Sequence, residues 1–286
     1  MDRRALDWAR SALGPDLEVL VTSPLTGGTT GSVMAIEAGD GRRRRHRFVL
    51  KLYRPDPSEP DSAWREAHIL EQLAPTDLPV PRIVAMDRDG AHAGCPALLM
   101  TRLGGRILKR PRGLSSWLEA MACLALRIHR LPIPQASLPR YEVWGLDEPL
   151  EVPWWWRSPE VWRAAVEIFR GPIPDEPPCF IHRDLHAANV LWSGSSLSGV
   201  VDWLHGCWGP ASADLAHCRL NLWLDTSPAA AQVFLDGYRR LDRDMGPYNH
   251  FWDIADALSW HVDPRRDGWR FARRWELFIA TAVSLA

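Results

Sequence analysis

Two short segments constrain this chain more than anything in its composition. The first is His182-Arg183-Asp184-Leu185-His186-Ala187-Ala188-Asn189; the second is Val200-Val201-Asp202-Trp203, whose aspartate stands thirteen positions beyond Asn189. Asp184 and Asn189 hold the register H-x-D-x-x-x-x-N, in which the aspartate accepts a proton from a hydroxyl and the asparagine amide oxygen ligates a metal ion. The runs Val190-Leu191-Trp192 and Ser198-Gly199-Val200-Val201 read as a hairpin, which would carry Asp202 to the metal as a second ligand. Phosphoryl transfer needs little covalent help and depends on holding metal, triphosphate and nucleophile in line, which a base and two metal ligands at this spacing provide. A different reading takes His182, Asp184 and His186, alternating on an extended segment, as a metal cluster of a hydrolase. The chain contains no H-E-x-x-H and no paired C-x-x-C, and Asn189 has no part in that scheme.

The same chemistry requires a strand lysine to reach the phosphates and a helix glutamate to orient it. Phe48-Val49-Leu50-Lys51-Leu52-Tyr53 is a strand-like run interrupted by one cation, and residues 62–73 read as a helix containing Glu66, with Glu71 as a competitor. The chain has only two lysines, Lys51 and Lys109, so nearly all of its 34 basic residues are arginine. A lysine kept inside a strand suggests a demand for a compact ammonium where a planar guanidinium would not fit. A strand-edge lysine reaching solvent is the plainer alternative. Upstream, Thr26-Gly27-Gly28-Thr29-Thr30-Gly31-Ser32 joins two strand-like stretches. Its backbone N–H groups and hydroxyls can lie over nucleotide phosphates, or it is an ordinary glycine turn.

These residues resemble the aminoglycoside phosphotransferase and choline kinase-like group of small-molecule kinases. The resemblance is strongest from Cys179 to Leu222, through Phe180-Ile181-His182-Arg183-Asp184-Leu185-His186, Val201-Asp202-Trp203 and Gly209-Pro210-Ala211-Ser212-Ala213-Asp214-Leu215-Ala216. It implies an α+β, two-lobed protein-kinase-like fold. The N-terminal lobe, residues 1–102, would be a mostly antiparallel sheet with one key helix, and residues 103–286 a mainly helical lobe holding the catalytic loop and acceptor pocket. It further implies Asp184 as catalytic base, Asn189 and Asp202 as magnesium ligands, and Lys51 on the ATP phosphates with Glu66 beside it. Gly28, Thr29, Thr30 and Ser32 would form the phosphate loop, and the backbone of Met100 and Arg102 would bond adenine. His182 and Asp214 would support the catalytic loop. Asp214 also has a plain reading as a helix N-cap, and residues 97–105 as a strand and glycine turn. Only eleven residues separate Asp202 from Asp214 and no A-P-E motif follows, so the segment a protein kinase uses to dock peptides is absent and the acceptor is expected to be a small molecule.

Composition agrees. The 286 residues suffice for two lobes, and a formal charge of −1 gives no field to steer nucleic acid, so Arg42-Arg43-Arg44-Arg45-His46-Arg47 reads as a solvated hairpin edge. The first ten residues form an amphipathic helix pattern with acids where a secretory signal needs an apolar block, and no apolar run is long enough to span a bilayer. A cytoplasmic protein with reduced thiols and no membrane or nucleic-acid partner is expected; oligomeric state is not legible.

Helix patterns fall near 114–130, 159–170, 211–224, 228–241, 248–260 and 267–284, with a Pro-rich connection at 131–159 where the acceptor pocket should form. Residues 141–176 carry eight acids and three arginines, a composition that attracts a polycation, whereas residues 205–286 are nearly balanced. Trp154-Trp155-Trp156 can hold a quaternary ammonium or an apolar ring, or pack in the core. The expected function is therefore transfer of the γ-phosphate of ATP, with Mg2+, to a hydroxyl of an aminoglycoside-like antibiotic or small metabolite. The alternatives are a nucleotide-binding pseudokinase scaffold, whose signature would be loss of a key residue, and the metal-dependent hydrolase.

Overall fold

The computed structural model describes residues 3–25, 31–41, 44–56, 59–108, 111–146 and 148–286. The chain divides into two compact units, Met1–Leu108 with Ala188–His205 and Lys109–Ala187 with Gly206–Ala286. Residues 188–205, which a division by linear position puts in the second lobe, pack with the first unit.

The first unit contains α1 (Arg3–Leu13), β1 (Glu18–Leu25), β2 (Gly31–Gly39), β3 (Arg45–Tyr53), α2 (Ser62–Leu73), β4 (Ile83–Asp87), β5 (Ala97–Thr101) and β6 (Arg106–Ile107). β1 to β5 form one sheet in the order β1-β2-β3-β5-β4, antiparallel at every joint. Its core gathers Ile36, Leu50 and Leu99 with Ala5 and Ala9, whose spacing of four puts both on one face of α1. The stretch that returns to this unit supplies β8 (Val190–Ser193) and β9 (Ser196–Val200), which pair as the expected hairpin and add β6 as a third strand.

In the second unit β7 (Pro178–Ile181) pairs antiparallel with β10 (Cys207–Pro210), and the rest is helical. The helices are α3 (Leu114–His129), α4 (Pro159–Phe169), α5 (Ala211–Asp225), α6 (Pro228–Leu241), α7 (Phe251–Leu258), α8 (Pro264–Asp267) and α9 (Trp269–Leu285). Trp155, Trp156, Trp162 and Trp275 are buried against one another with ring centroids 5.0 to 5.9 Å apart. Each indole N–H finds a carbonyl, those of Val262, Ser158, Leu150 and Ala257 respectively, so large apolar rings are buried without stranding a donor. Two of the three consecutive tryptophans are therefore core residues; Trp154 is 59% exposed, with the Arg265 guanidinium 4.3 Å from its ring. Arg219 and Asp253 form a buried bidentate pair at 3.0 and 3.1 Å, with the Tyr248 hydroxyl donating to the same carboxylate at 2.7 Å. No described helix is long and apolar enough to cross a membrane.

Gly31 opens β2 opposite Tyr53, and a Cβ there would lie 1.8 Å from the Leu52 carbonyl oxygen. The close approach of β2 and β3 requires glycine. Gly31→Ala should therefore destabilise the protein by about 1–3 kcal/mol, the usual cost of forcing an atom into packed structure. Ser32→Ala, on an exposed residue one position along, should stay within about 0.5 kcal/mol. Equal thermal midpoints for Gly31→Ala and wild type would show that the two strands do not pack in this register.

Candidate active site

In β3 alternate side chains share a face, so Lys51 and Tyr53 point the same way, with the ammonium 5.2 Å from the phenol ring centre. Both are buried, and both reach Glu66 on the buried side of α2: Lys51 Nζ and Tyr53 OH each donate to Glu66 Oε2 at 2.6 Å. The backbone N–H of Trp203 donates to Glu66 Oε1 at 3.3 Å. Lys51 Nζ also donates to Asp202 Oδ1 at 2.6 Å, so one ammonium joins two carboxylates. Burial alone would lower the Lys51 pKa, but Glu66 and Asp202 outweigh it and hold the ammonium above its ordinary value. Burial and the Glu66 charge push the Tyr53 phenol up, keeping it a donor. Glu71, the competing acid on α2, is exposed.

Asp202 follows β9 with φ 66°, a left-handed conformation that aspartate tolerates better than most residues. The turn is pinned on both sides. Val200 N–H donates to the Pro79 carbonyl at 2.9 Å and Val201 N–H to the Asn189 carbonyl at 3.0 Å, while Trp203 is fully buried with its indole N–H on the Val200 carbonyl at 3.0 Å. Asn189 precedes β8, and Val190 pairs with Val200, so Asn189 and Asp202 stand at the same open end of the hairpin. A neutral amide oxygen and a carboxylate match the hard, oxygen-only preference of magnesium, which is commonly held by one or two protein groups plus phosphates.

In the second unit β7 ends at Ile181, opposite Cys207, and β10 runs directly into α5. The first turn of α5 therefore carries Asp214 back to the loop after β7. Asp214 is fully buried and accepts the backbone N–H of His182 at 2.8 Å and that of Arg183, while His129 lies 3.1 Å from it and bridges to the Tyr238 hydroxyl at 2.8 Å. The helix N-cap position belongs to Pro210, so Asp214 spends its oxygens on the loop amides and not on its own helix. Burial would raise the Asp214 pKa, but His129, His182 and these hydrogen bonds hold it below the ordinary value. Arg183 takes φ 67°; its guanidinium lies 3.8 Å from the Trp144 ring centre and 4.3 Å from that of Tyr141, and donates to the Glu142 carbonyl. A non-glycine residue keeps such a backbone where its surroundings over-determine it. Gly209 helps, because a Cβ there would lie 2.4 Å from Tyr141 Cβ.

Asp184 emerges from this braced loop. His182 Nδ1 accepts the Asp184 N–H at 3.3 Å, and Asp184 Oδ1 lies 3.0 Å from His217 Nε2 and 3.8 Å from His186 Nε2. Burial acts to raise its pKa, and the three histidines, His217 foremost, hold it well below the usual carboxylate range instead. Along the 131–159 connection the second unit also has a cleft of about 790 Å³, lined by Glu142, Glu148, Asp175 and Glu176 against Arg140, with Tyr141, Trp144, Trp208 and Trp252 as its aromatic faces.

The structure thus joins Lys51, Glu66 and Asp202 directly, sets Asn189 beside Asp202, and gathers His182, Asp184 and Asp214 around one loop. Gly28, Thr29 and Thr30 lie outside the described residues; Ser32 is exposed on β2. Met100 lies within the sheet opposite Val49 and Ile83. The Arg102 N–H donates to the Arg47 carbonyl at 2.9 Å. Among the described residues no three His, Cys, Asp or Glu side chains are gathered to hold a metal, so His182, Asp184 and His186 do not assemble the hydrolase cluster. Tyr53, His217 and Asp256 were missed. Only His217 left a trace in the sequence, three positions after Asp214 and so on the same side of α5.

The sequence model of one family, described as "Phosphotransferase enzyme family", matches residues 21–251. The homoserine kinase of Methylocella silvestris is 33% identical over 189 residues, 62% of this chain and 57% of that protein; the match thus spans little more than half the length of this relative. A thermostable mutant of the aminoglycoside phosphotransferase APH(4)-Ia in its apo form shares the fold with a TM-score of 0.69 at 15% identity, covering 94% of this chain and 95% of that one. Its ternary complex with ADP and hygromycin B gives 0.67 at 15% identity, with 93% and 94% covered. The α+β fold is the protein-kinase-like one of these phosphotransferases.

Removing one partner of a buried ion pair leaves the other charge uncompensated. Lys51→Met should cost roughly 3–5 kcal/mol in chemical denaturation, because Glu66 stays buried without its cation. Adding Glu66→Gln should recover part of that loss. A Lys51→Met protein that unfolds at the wild-type denaturant midpoint would refute the buried pairing.

Proposed function

This chain belongs to the phosphotransferase enzyme family, and from that premise we propose that it transfers the γ-phosphoryl group of ATP to a hydroxyl of a small molecule, with magnesium as the metal. The observation that carries the reading is the buried ammonium of Lys51 held between Glu66 and Asp202. It supplies a fixed positive charge where a phosphate can take the place of a carboxylate. In this reading Lys51 neutralises the nucleotide phosphates, Glu66 and Tyr53 keep its stem aimed, and Asn189 and Asp202 hold the metal. Magnesium, when bound, would offset phosphate charge. Gly28, Thr29, Thr30 and Ser32 are proposed over the phosphates, and the Met100–Arg102 segment beside the adenine. Asp184 orients the acceptor hydroxyl and takes its proton, a contribution of roughly two to four powers of ten, while His182 and Asp214 keep its loop in place.

The acceptor is proposed to be an amine-bearing alcohol. The acid-lined cleft of the second unit, with its aromatic faces, suits a cation carrying hydroxyls. A relative named for homoserine and a structural neighbour bound to hygromycin B point to the same chemistry. The protein is proposed to act in the cytoplasm, where ATP is available.

The test is mass spectrometry of products after incubation with magnesium-ATP and a pool of homoserine, aminoglycosides, choline, other amino alcohols and sugars. A product heavier by one phosphoryl group should form only with magnesium, and Asp184→Asn should slow it by roughly two to four orders of magnitude. Neither product nor ADP from the wild-type protein would defeat the proposal.

A further inference from the structure

His217 sits between two carboxylates. Its Nε2 lies 3.0 Å from Asp184 Oδ1 and its Nδ1 3.0 Å from Asp256 Oδ1 on α7. Both ring nitrogens must donate to satisfy both acids, which requires the doubly protonated ring. The other groups facing it are Asn221, whose side-chain nitrogen donates to the His217 carbonyl at 2.9 Å and lies 3.2 Å from Nε2, and the rings of His186, edge-on at 5.7 Å, and Trp260, tilted at 6.0 Å. That amide nitrogen is a donor and offers the ring no further acceptor. Among the described residues Asp256 Oδ2 is buried without a hydrogen-bond partner, and Oδ1 is the oxygen that faces the imidazole. Burial would lower the His217 pKa, and the two aspartates hold it well above its ordinary value.

We propose that His217, held as an imidazolium between Asp184 and Asp256, is a positioning residue for the phosphoryl transfer: through Oδ1 it fixes the carboxylate of Asp184 that takes the proton of the acceptor hydroxyl. The inference rests on the kinase reading above. The cation holds Asp184 as a carboxylate despite its burial and stops the side chain rotating, so the hydroxyl meets it in one orientation. Asp256 is the counter-charge that keeps the imidazolium protonated. His217 thus acts through Asp184 and has no contact with the reacting atoms.

The signs can be worked through. A histidine whose pKa is raised in the folded protein keeps its contribution at low pH and loses it as pH rises through the folded value; a depressed aspartate keeps its contribution at high pH and loses it as pH falls. Asp256→Asn removes one of the two carboxylates on His217, so the alkaline limb of kcat should move to lower pH. His217→Gln keeps a donor for Asp184 but removes the largest of the charges that offset burial, leaving His182 and His186, so the acid limb should rise into the measurable range, above about pH 4.

The experiment measures kcat and KM against pH for wild type, His217→Gln and Asp256→Asn with whichever acceptor the wild type phosphorylates, folding being checked by circular dichroism. Histidine ring nitrogen shifts are read by NMR on wild type and Asp256→Asn. Expected are a kcat loss of roughly 10- to 100-fold for His217→Gln with KM within about twofold, the size of one charge-assisted hydrogen bond, and a doubly protonated His217 ring at neutral pH that titrates earlier in Asp256→Asn. A neutral His217 ring in the wild type at pH 7, or a His217→Gln enzyme with wild-type kcat and pH profile, would overturn the inference. A wild type that phosphorylates nothing would overturn the kinase reading, and the catalytic role with it, while the NMR still reports on the ion pair itself.

Discussion

Everything in the first unit that bears on chemistry depends on one buried carboxylate. Glu66 receives the Lys51 ammonium, the Tyr53 hydroxyl and the Trp203 amide, and through them ties a central strand, a helix and the turn that presents Asp202. A charge placed in a protein interior is costly unless it is both paired and fully hydrogen-bonded, and this one is. The cluster is therefore stiff. Its lysine is committed to two acids before any ligand arrives, so the phosphate proposed to bind there would meet an ammonium whose position is already fixed, with little ordering left to the binding step.

The second unit solves a different problem, how to hold a loop that contains a left-handed arginine. It does so from a single helix. Asp214, in the first turn of α5, fixes the loop backbone, and His217, less than one turn further along, touches the side chain that the loop presents. The guanidinium of Arg183 is enclosed by two aromatic faces and a carbonyl.

What was legible in the sequence follows from how local each signal is. The hairpin around Asn189 and Asp202, the helix bearing Glu66 and the lone strand lysine are each encoded within a dozen residues by apolar periodicity, and all appear where expected. The choice between Glu66 and Glu71 was not encoded locally; it is decided by which face of α2 meets the sheet. Asp214 as a brace in place of a cap needed the pairing of β7 with β10, and Asp256 needed the packing of α7 on α5, neither of which leaves a periodic trace. Trp155 and Trp156 read equally well as ligand-binding and core residues until Trp162 and Trp275, far apart in the chain, were seen to surround them. The partner of the Arg102 N–H likewise comes from β3, fifty-odd residues away.

The order in which these parts can come together is set by the route of the chain. Lys51 and Asp202 are 151 residues apart, and β6 waits for β8, which is separated from it by the whole of residues 109–187. During synthesis from the amino end, Lys51 can meet Glu66 early, but the second carboxylate and the small three-stranded sheet arrive only after residues 109–187 of the other unit have been made. Contacts of such sequence separation are slow to close. The first unit is thus not one continuous segment; the ammonium proposed to receive phosphate acquires its full set of partners only once residues 188–205 have been made.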